Sequence, residues 1–249
     1  MNGAARVGLV AGVVADWVVG DPRRGHPVAG FGAVAAALER RWWRPSRSVG
    51  VAYAMVLVGG AVVAVAAADR ALARRPVARM LLTGSVTWAA LGGRSLAEAG
   101  RQLAEAVRDG DLEQARALAP TLVGRDPTGL DGPELCRAAV ESVAENTADA
   151  VVGPLLWGVV AGPAGVVAYR AANTLDAMVG HHGDRYERFG WAAARLDDLL
   201  TWPAARLGAG LTCVLASLVG GRTGRAGRGG RLPGRQHLGC DGRPPRRPL

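Results

Sequence analysis

Lysine is absent from the 249 residues, aromatic side chains make up only 5%, and cysteines number three. The scarcity of aromatics excludes a sandwich or barrel of aromatic-rich strands and leaves helices as the default. Cys136, Cys213 and Cys240 are odd in number and far apart, with no CxxC pair and too few histidines beside them to make a zinc site, so a disulfide scaffold is excluded and they read as unbridged thiols in a reducing setting. No GxxxxGK[ST], strand-linked GxGxxG or GxSxG occurs, so any nucleotide used is not held by a standard phosphate loop. What the sequence does have is 36 glycines and 49% hydrophobic residues, which excludes a disordered acidic chain and a collagen.

The formal net charge of +9 looks at first like the footprint of a nucleic-acid binder. Residues 220–249, however, hold eight arginines and one acid, Asp241, and supply +7 of it. The remaining 22 arginines and 20 acids leave residues 1–219 without a basic track for a phosphate backbone, and no nucleic acid is expected as a partner. The tail also carries nine glycines and four prolines and shows no apolar period, so it builds no core. Two origins fit this abrupt change: a disordered basic linker, or out-of-frame translation of a GC-rich gene. The second is favoured, because Gly, Arg and Pro codons dominate any frame of such a gene.

Apolar runs set the fold class. Ser48–Ala68 has 21 residues without a charge, enough to cross about 30 Å of hydrocarbon at roughly 1.5 Å per residue. Ala150–Tyr169 is a second uncharged run, but Gly153-Pro154, Gly158, Gly162-Pro163 and Gly165 predict a bent or broken helix of the kind that lines a membrane site. Leu199–Val219 is interrupted only by Arg206 and Val7–Gly20 only by Asp16. Met80–Gly93 suits a short membrane helix and a buried core helix equally. Several such runs in one short chain favour a bilayer over the alternative, buried helices of a large soluble protein. A removable signal peptide is not expected, since Asp16 and Trp17 interrupt the first run and no small-residue cleavage site follows. Loops 21–47 and 69–79 hold six and four arginines, too even a division to orient the chain.

Between Arg94 and Asp149 the character changes to six arginines and eleven acids with the period of amphipathic, water-exposed helices. Leu96, Leu103 and Val107 share one face of a helix ending near Gly110; Asp111 with Gln114, and Asp131 with Glu134, mark helix starts. The expectation is an all-α, polytopic helical membrane protein with an extramembrane helical segment, multi-pass in the cell membrane with the lipid bilayer as a partner. Its stretches are 1–93 (membrane helices with an Asp-Pro/His-Pro loop), 94–149 (extramembrane), 150–219 (membrane helices with a polar motif region) and 220–249 (a disordered Arg/Gly/Pro tail).

Three constellations stand out. Glu141, Glu145 and Asp149 recur at i, i+4 and i+8, which stacks carboxylates on one helix face as a hard cation such as Mg²⁺ or a general base requires. A solvated face with an Arg137–Glu141 pair explains the same spacing. The stripe leads into the broken apolar segment, which places Asn146 and Asp149 at the membrane surface. Beyond it, Arg170, Asn173, Asp176, Arg195, Asp197 and Asp198 lie between two apolar runs, where ionisable groups are costly and hint at function; interfacial snorkelling and an Arg195–Asp198 helix pair are the alternative. His181-His182 is read as a solvated loop pair. Near the start, Asp16–Pro27 forms a proline-stiffened turn in which a helix stop explains the glycine and prolines but not Asp21 and His26, candidates for contacting an anionic or amine-bearing ligand.

The stretches DWVVGDPRRGHPVAGFG (16–32), LVGRDPTGLD (122–131), AAVESVAENTADAVVGPLLW (138–157) and AYRAANTLDAMVGHHGDRYERFGWAAARLDDLLTWPAARL (168–207) resemble the CobD/CbiB family, the membrane-bound adenosylcobinamide-phosphate synthases of cobalamin biosynthesis. The resemblance covers most of residues 8–219. It implies a ligase that joins the free propionate of adenosylcobyric acid to aminopropanol or its phosphate, consuming ATP with Mg²⁺. Its implied partners are the corrinoid substrate, the small amino alcohol and other enzymes of the corrinoid pathway. In such a site Glu141, Glu145 and Asp149 would serve Mg²⁺ or base duty, with Glu145 and Asp149 as the metal ligands. Arg170 and Arg195 would pair phosphate or carboxylate, Asn146 and Asn173 would orient groups, and Asp21, His26, Asp176, Asp197 and Asp198 would bind substrate. Two departures from the family pattern are Thr201, where the family has Asn before Trp-Pro, and the lack of a Ser-Pro-Asn-Ala-Gly stretch after residue 219. The rival classes are a secondary transporter, which the broken helix favours but the lack of an internal repeat does not, and a non-catalytic membrane scaffold, which has no need of clustered Glu, Asn and Asp.

Overall fold

The computed structural model describes residues 3–21, 25–122, 129–181 and 183–223, and among these every regular element is helical, as expected. The helices are α1 (Gly3–Val19), α2 (Pro27–Trp42), α3 (Arg47–Ala54), α4 (Gly60–Ala71), α5 (Pro76–Ala90), α6 (Gly93–Arg108), α7 (Leu112–Leu118), α8 (Gly132–Thr147), α9 (Gly153–Leu175) and α10 (Trp191–Thr223). Three π-helical turns punctuate them: Met55–Gly59 joins α3 to α4, Ala148–Val152 joins α8 to α9, and Asp176–Gly180 follows α9. The marked starts behave as their chemistry requires. Asp131 and Glu134 complete both halves of a capping box, Asp111 accepts from the Gln114 amide, and Pro27 sits in the first turn of α2 behind the cap His26.

Two kinds of packing follow from two kinds of sequence. In α6–α8 the apolar stripe closes a core of Leu103, Ala115, Leu122, Leu135 and Ala138, against which Leu96 and Val107 pack, while Glu98, Arg101 and Glu105 face outward. Elsewhere small residues allow backbones to approach. A Cβ on Gly8 would stand 2.7 Å from Thr83 Cβ, and one on Gly12 would stand 2.5 Å from Thr87 Cβ, so α1 and α5 run parallel at very short range. On these helices the large apolar side chains point outward: Val10, Val14 and Val18 on α1, Val63 on α4, and Val159 and Val160 on α9 are all exposed. That is the arrangement hydrocarbon, rather than water, makes favourable. Two helical stretches are long and apolar enough to cross a membrane, Arg47–Ala71 and Gly132–Gly180.

The second stretch is not a single crossing. Gly162 takes φ 67° and ψ −154°, a conformation open in practice only to glycine, and Pro163 follows with no N–H to leave unpaired. Beyond this point α9 doubles back. A Cβ on Gly158 would stand 2.9 Å from Val166, and one on Gly153 would stand 2.1 Å from the Tyr169 ring. In a straight helix those pairs would be roughly 12 and 24 Å apart at about 1.5 Å per residue. The expected bend or break is therefore a complete reversal, and the run 150–169, long enough to span by composition, forms two antiparallel legs instead.

The chain divides into two units, Met1–Ala205 and Arg206–Leu249. In the second, the described residues are the C-terminal part of α10, with Leu211, Val214, Leu215 and Leu218 exposed. The helix continues to Thr223, so Gly220–Thr223, assigned to the tail by composition, are helical, and residues 224–249 of the expected tail lie outside the described residues. Cys136 and Cys213 are exposed and form no disulfide among the described residues, which do not include Cys240.

Three outcomes follow from this architecture. Gly12→Val should destabilise the α1–α5 contact by about 1–3 kcal/mol through overpacking, whereas Gly30→Ala, with open space around it, should leave the melting temperature in detergent unchanged or slightly raised. In a variant lacking the native cysteines, Ala150→Cys and Ala177→Cys should both react with an impermeant thiol reagent from the same side of a vesicle; labelling from opposite sides would mean the legs form one span. On α6, hydrogen bonds from Arg101, then from Gln102, pull Glu98 down to about 2 from its ordinary 4.5. Its contribution is complete above the ordinary value and is lost as pH falls through about 2. A carboxyl NMR titration should find the Glu98 midpoint there, and Arg101→Gln should return it toward the ordinary range.

Candidate functional site

The mouth of the α9 hairpin gathers polar residues from three parts of the chain. The π turn at Ala148–Val152 carries Asp149, the returning leg of α9 carries Tyr169, Arg170 and Asn173, and the start of α10 carries Asp197 and Thr201. Tyr169, fully buried, donates its hydroxyl to Asp149 Oδ1 at 3.1 Å and lies 3.1 Å from Thr201 Oγ1. Thr201 is in turn 3.5 Å from Asp197 Oδ2, and Asn173 hydrogen-bonds Asp197. Two buried atoms of the cluster, Arg170 Nε and Asp197 Oδ1, have no hydrogen-bond partner among the described residues. Arg170 lies in the field of Asp21 and Asp149, and among the described residues it is the one charged residue lining a mainly apolar cavity of about 270 Å³, which Thr174 also lines.

Glycines make this convergence possible. The Tyr169 ring occupies the space where a Gly153 Cβ would be, and the Asp176 carboxylate folds over Gly180, 1.8 Å from where its Cβ would stand. Asp176 and Asp149 both sit in π turns, and both act electrostatically on Asp197. Such turns often mark functional positions in helices.

The loop after α1 forms a neighbouring cluster. Ser95 Oγ donates to Asp21 Oδ2 at 2.5 Å, and His26 Nε2 stands 3.7 Å from Asp21 Oδ1. His26 Nδ1 accepts from the Val28 amide as the α2 cap, so the ring proton of the neutral tautomer is on Nε2, facing Asp21. Asp16, read from sequence as part of a helix stop, is buried and accepts from the Arg94 amide at the start of α6. Arg94 also closes the end of α1, donating to the carbonyls of Trp17 and Val18, while Trp88 donates to Gly20 O at 3.0 Å. Asp16, Arg94 and Trp88 therefore hold the turn that presents Asp21 and His26.

Of the residues singled out by sequence, Asp149, Arg170, Asn173, Asp176 and Asp197 come together, with Asp21 acting on Arg170. Glu141 and Glu145 are exposed on α8, Glu145 close enough to act electrostatically on Asp149. Asn146 turns back on its own helix, donating to Ser142 O and Oγ at 2.9 and 3.0 Å. Arg195 and Asp198 form an exposed 3.5 Å ion pair, although Asp198 also acts on Asp176. His181 meets Tyr186 edge-on, and His182 lies outside the described residues. Among the described residues no three His, Cys, Asp or Glu side chains gather as a metal-binding group, so Glu145 and Asp149 have no third protein ligand. The sequence alone does not single out Tyr169, Thr201, Arg94 or Ser95 as site residues. The available signals were the Tyr-Arg pair ending an apolar run and the departure from the family pattern at position 201.

Comparison with known proteins gives a consistent picture. Residues 9–233 match the family model described as CobD/Cbib protein, a match that runs past the change of composition at Gly220. The cobalamin biosynthesis protein CobD of Mycobacterium tuberculosis is 50% identical over 232 residues, covering 93% of this chain and 73% of that protein. The CobD proteins of Rhodobacter capsulatus and Geobacter metallireducens are 43% and 41% identical over 225 and 230 residues, covering 87% and 90% of this chain and 70% and 72% of theirs. No solved structure matches the chain.

Proposed function

The chain belongs to the CobD/CbiB protein family and has a role in cobalamin biosynthesis; from that premise we propose that it is an acid–amine ligase, joining the free propionate of adenosylcobyric acid to aminopropanol or aminopropanol phosphate with consumption of ATP. A carboxylate is a poor electrophile. Transfer of the γ-phosphoryl group to its oxygen gives an acyl phosphate and releases ADP. The amine lone pair then attacks the carbonyl carbon, the bond to the phosphate oxygen breaks, inorganic phosphate leaves, and the nitrogen gives its proton to a base.

One observation carries this reading: Asp149 from one motif stretch and Arg170, Asn173 and Asp197 from another share one cluster, in which Arg170 Nε and Asp197 Oδ1 have no hydrogen-bond partner among the described residues. Arg170 pairs with phosphate or carboxylate oxygens, which its fork of donors suits. Asn173 orients Asp197, and Asp149 takes the ammonium proton or serves Mg²⁺. Phosphoryl-transfer sites commonly hold Mg²⁺ by one or two carboxylates together with substrate phosphates, so the pair Asp149 and Glu145 fits it without a third protein ligand. Bound there, the ion supplies neutralisation of phosphate charge. The outward-facing apolar side chains support a multi-pass location in the cell membrane, with the hairpin mouth at the interface where a large polar corrinoid arrives from water.

The test is direct. Washed membranes bearing this chain, given adenosylcobyric acid, ATP, Mg²⁺ and either amine, should form the amide and ADP in equal amounts by mass spectrometry. Asp149→Asn should lower turnover by about 10²-fold or more, the scale of a lost general base, while the protein remains in the membrane fraction. Wild-type turnover in that variant would remove Asp149 from the chemistry; amide formation without ATP would overturn the ligase reading.

A further inference from the structure

We propose that Tyr169 is a positioning residue of this site: its hydroxyl, steadied by Thr201 and by the seat that Gly153 leaves for its ring, fixes the Asp149 carboxylate through Oδ1 so that Oδ2 faces the reacting groups. The inference rests on the ligase reading for the identity of the reaction, but the contact itself stands on geometry. Tyr169 has one proton, which it gives to Asp149 at 3.1 Å. With that proton spent, Thr201, 3.1 Å from the same phenolic oxygen, donates its single proton either to it or, at 3.5 Å, to Asp197 Oδ2, so the hydrogen bond that steadies Tyr169 is the one Thr201 gives to the phenolic oxygen. Asp149 needs such a link. It sits in a π turn, where the regular i to i+4 ladder is interrupted, and no other side-chain hydrogen bond to its carboxylate is among those described.

The seat is as specific as the bond. A Cβ at position 153 would stand 2.1 Å from Tyr169 Cζ, 2.4 Å from a ring Cε and 2.5 Å from the hydroxyl oxygen. No side chain larger than hydrogen is compatible with the ring in that place. Gly153 is in the outgoing leg of the hairpin and Tyr169 in the returning leg, so the ring also fixes the spacing of the legs at their mouth. The ring is fully buried, yet its hydroxyl ends among polar groups, an arrangement that leaves tyrosine few alternative rotamers.

Three variants test this. Tyr169→Phe keeps the ring on Gly153 and removes only the hydroxyl; it should lower kcat by about 10- to 100-fold, the scale of a hydrogen bond to a charged group, with KM for the amine little changed. Thr201→Val should reproduce part of that loss, Thr201→Ser should restore it, and Tyr169→Phe/Thr201→Val should be no worse than Tyr169→Phe, because the two hydroxyls act in series. A readout independent of turnover is a double-mutant cycle on melting in detergent. Asp149→Asn and Tyr169→Phe should be non-additive, whereas Tyr169→Phe and Gly30→Ala should add. Wild-type kcat in Tyr169→Phe, or additivity of Asp149→Asn with Tyr169→Phe, overturns the proposal. If the wild-type chain itself forms no amide, the ligase reading fails, and the melting cycle alone decides whether Tyr169 holds Asp149.

Discussion

The reversal of α9 at Gly162-Pro163 is the constraint on which the rest of the first unit depends. Away from water an unpaired backbone N–H or C=O costs several kcal/mol, so irregular backbone in an apolar run survives only when it is short and covered by protein. Gly162 supplies the left-handed conformation in a single residue, Pro163 has no N–H to leave unpaired, and both are buried. The legs then need close contact to hold, and glycines 153, 158 and 165 lie where the opposing leg approaches. Without the reversal Tyr169 would be far from Asp149, and the hairpin would have no mouth.

The mouth concentrates charge in a way that ordinary stability does not require. Asp149, Asp176 and Asp197 lie close enough to act on one another electrostatically with Arg170 beside them, and two buried polar atoms find no hydrogen-bond partner among the described residues. Burying such groups is unfavourable unless partners satisfy them, and a fold selected only for persistence would replace them with apolar side chains. Under the proposed ligase reading, such groups next to a mainly apolar cavity would receive charged oxygens and an amine. The structural charges behave differently: Arg79 and Asp69 form a two-pronged pair at 2.5 and 2.6 Å, and Glu39 takes hydrogen bonds from Tyr186 at 2.7 Å and from Arg185 at 3.1 Å. Those groups satisfy one another and hold loops in place.

The same division runs through the glycines. Gly8 and Gly12 bring α1 against Thr83 and Thr87, which sets the height at which Asp16 reaches the start of α6. Asp16 and Arg94 then fix the turn bearing Asp21 and His26. A helix contact made by absent side chains thus governs, two steps later, where candidate substrate-binding groups stand.

Much of this was legible in the sequence because it depends on local chemistry. The helical class, the caps at Asp111 and Asp131, the amphipathic face of Leu96, Leu103 and Val107 and the break around Gly162 each follow from a few adjacent residues. The stripe Glu141, Glu145 and Asp149 assumes an uninterrupted α-helical period; the π turn beginning at Ala148 breaks that period just before Asp149, while the two glutamates lie on an exposed face of α8. Whether the break was a bend or a reversal could not be read locally, since it depends on contacts between the legs. Tyr169 and Thr201 were not singled out for the same reason: their partners are 20 and 32 residues away, and only the hairpin brings them within 3.1 Å. By itself the sequence determined the helices, their ends and the positions at which polar groups interrupt apolar runs, because backbone propensity and period act over a few residues. The tertiary structure alone decided which of those polar groups meet, because that depends on a chain reversal whose geometry is fixed by packing across it.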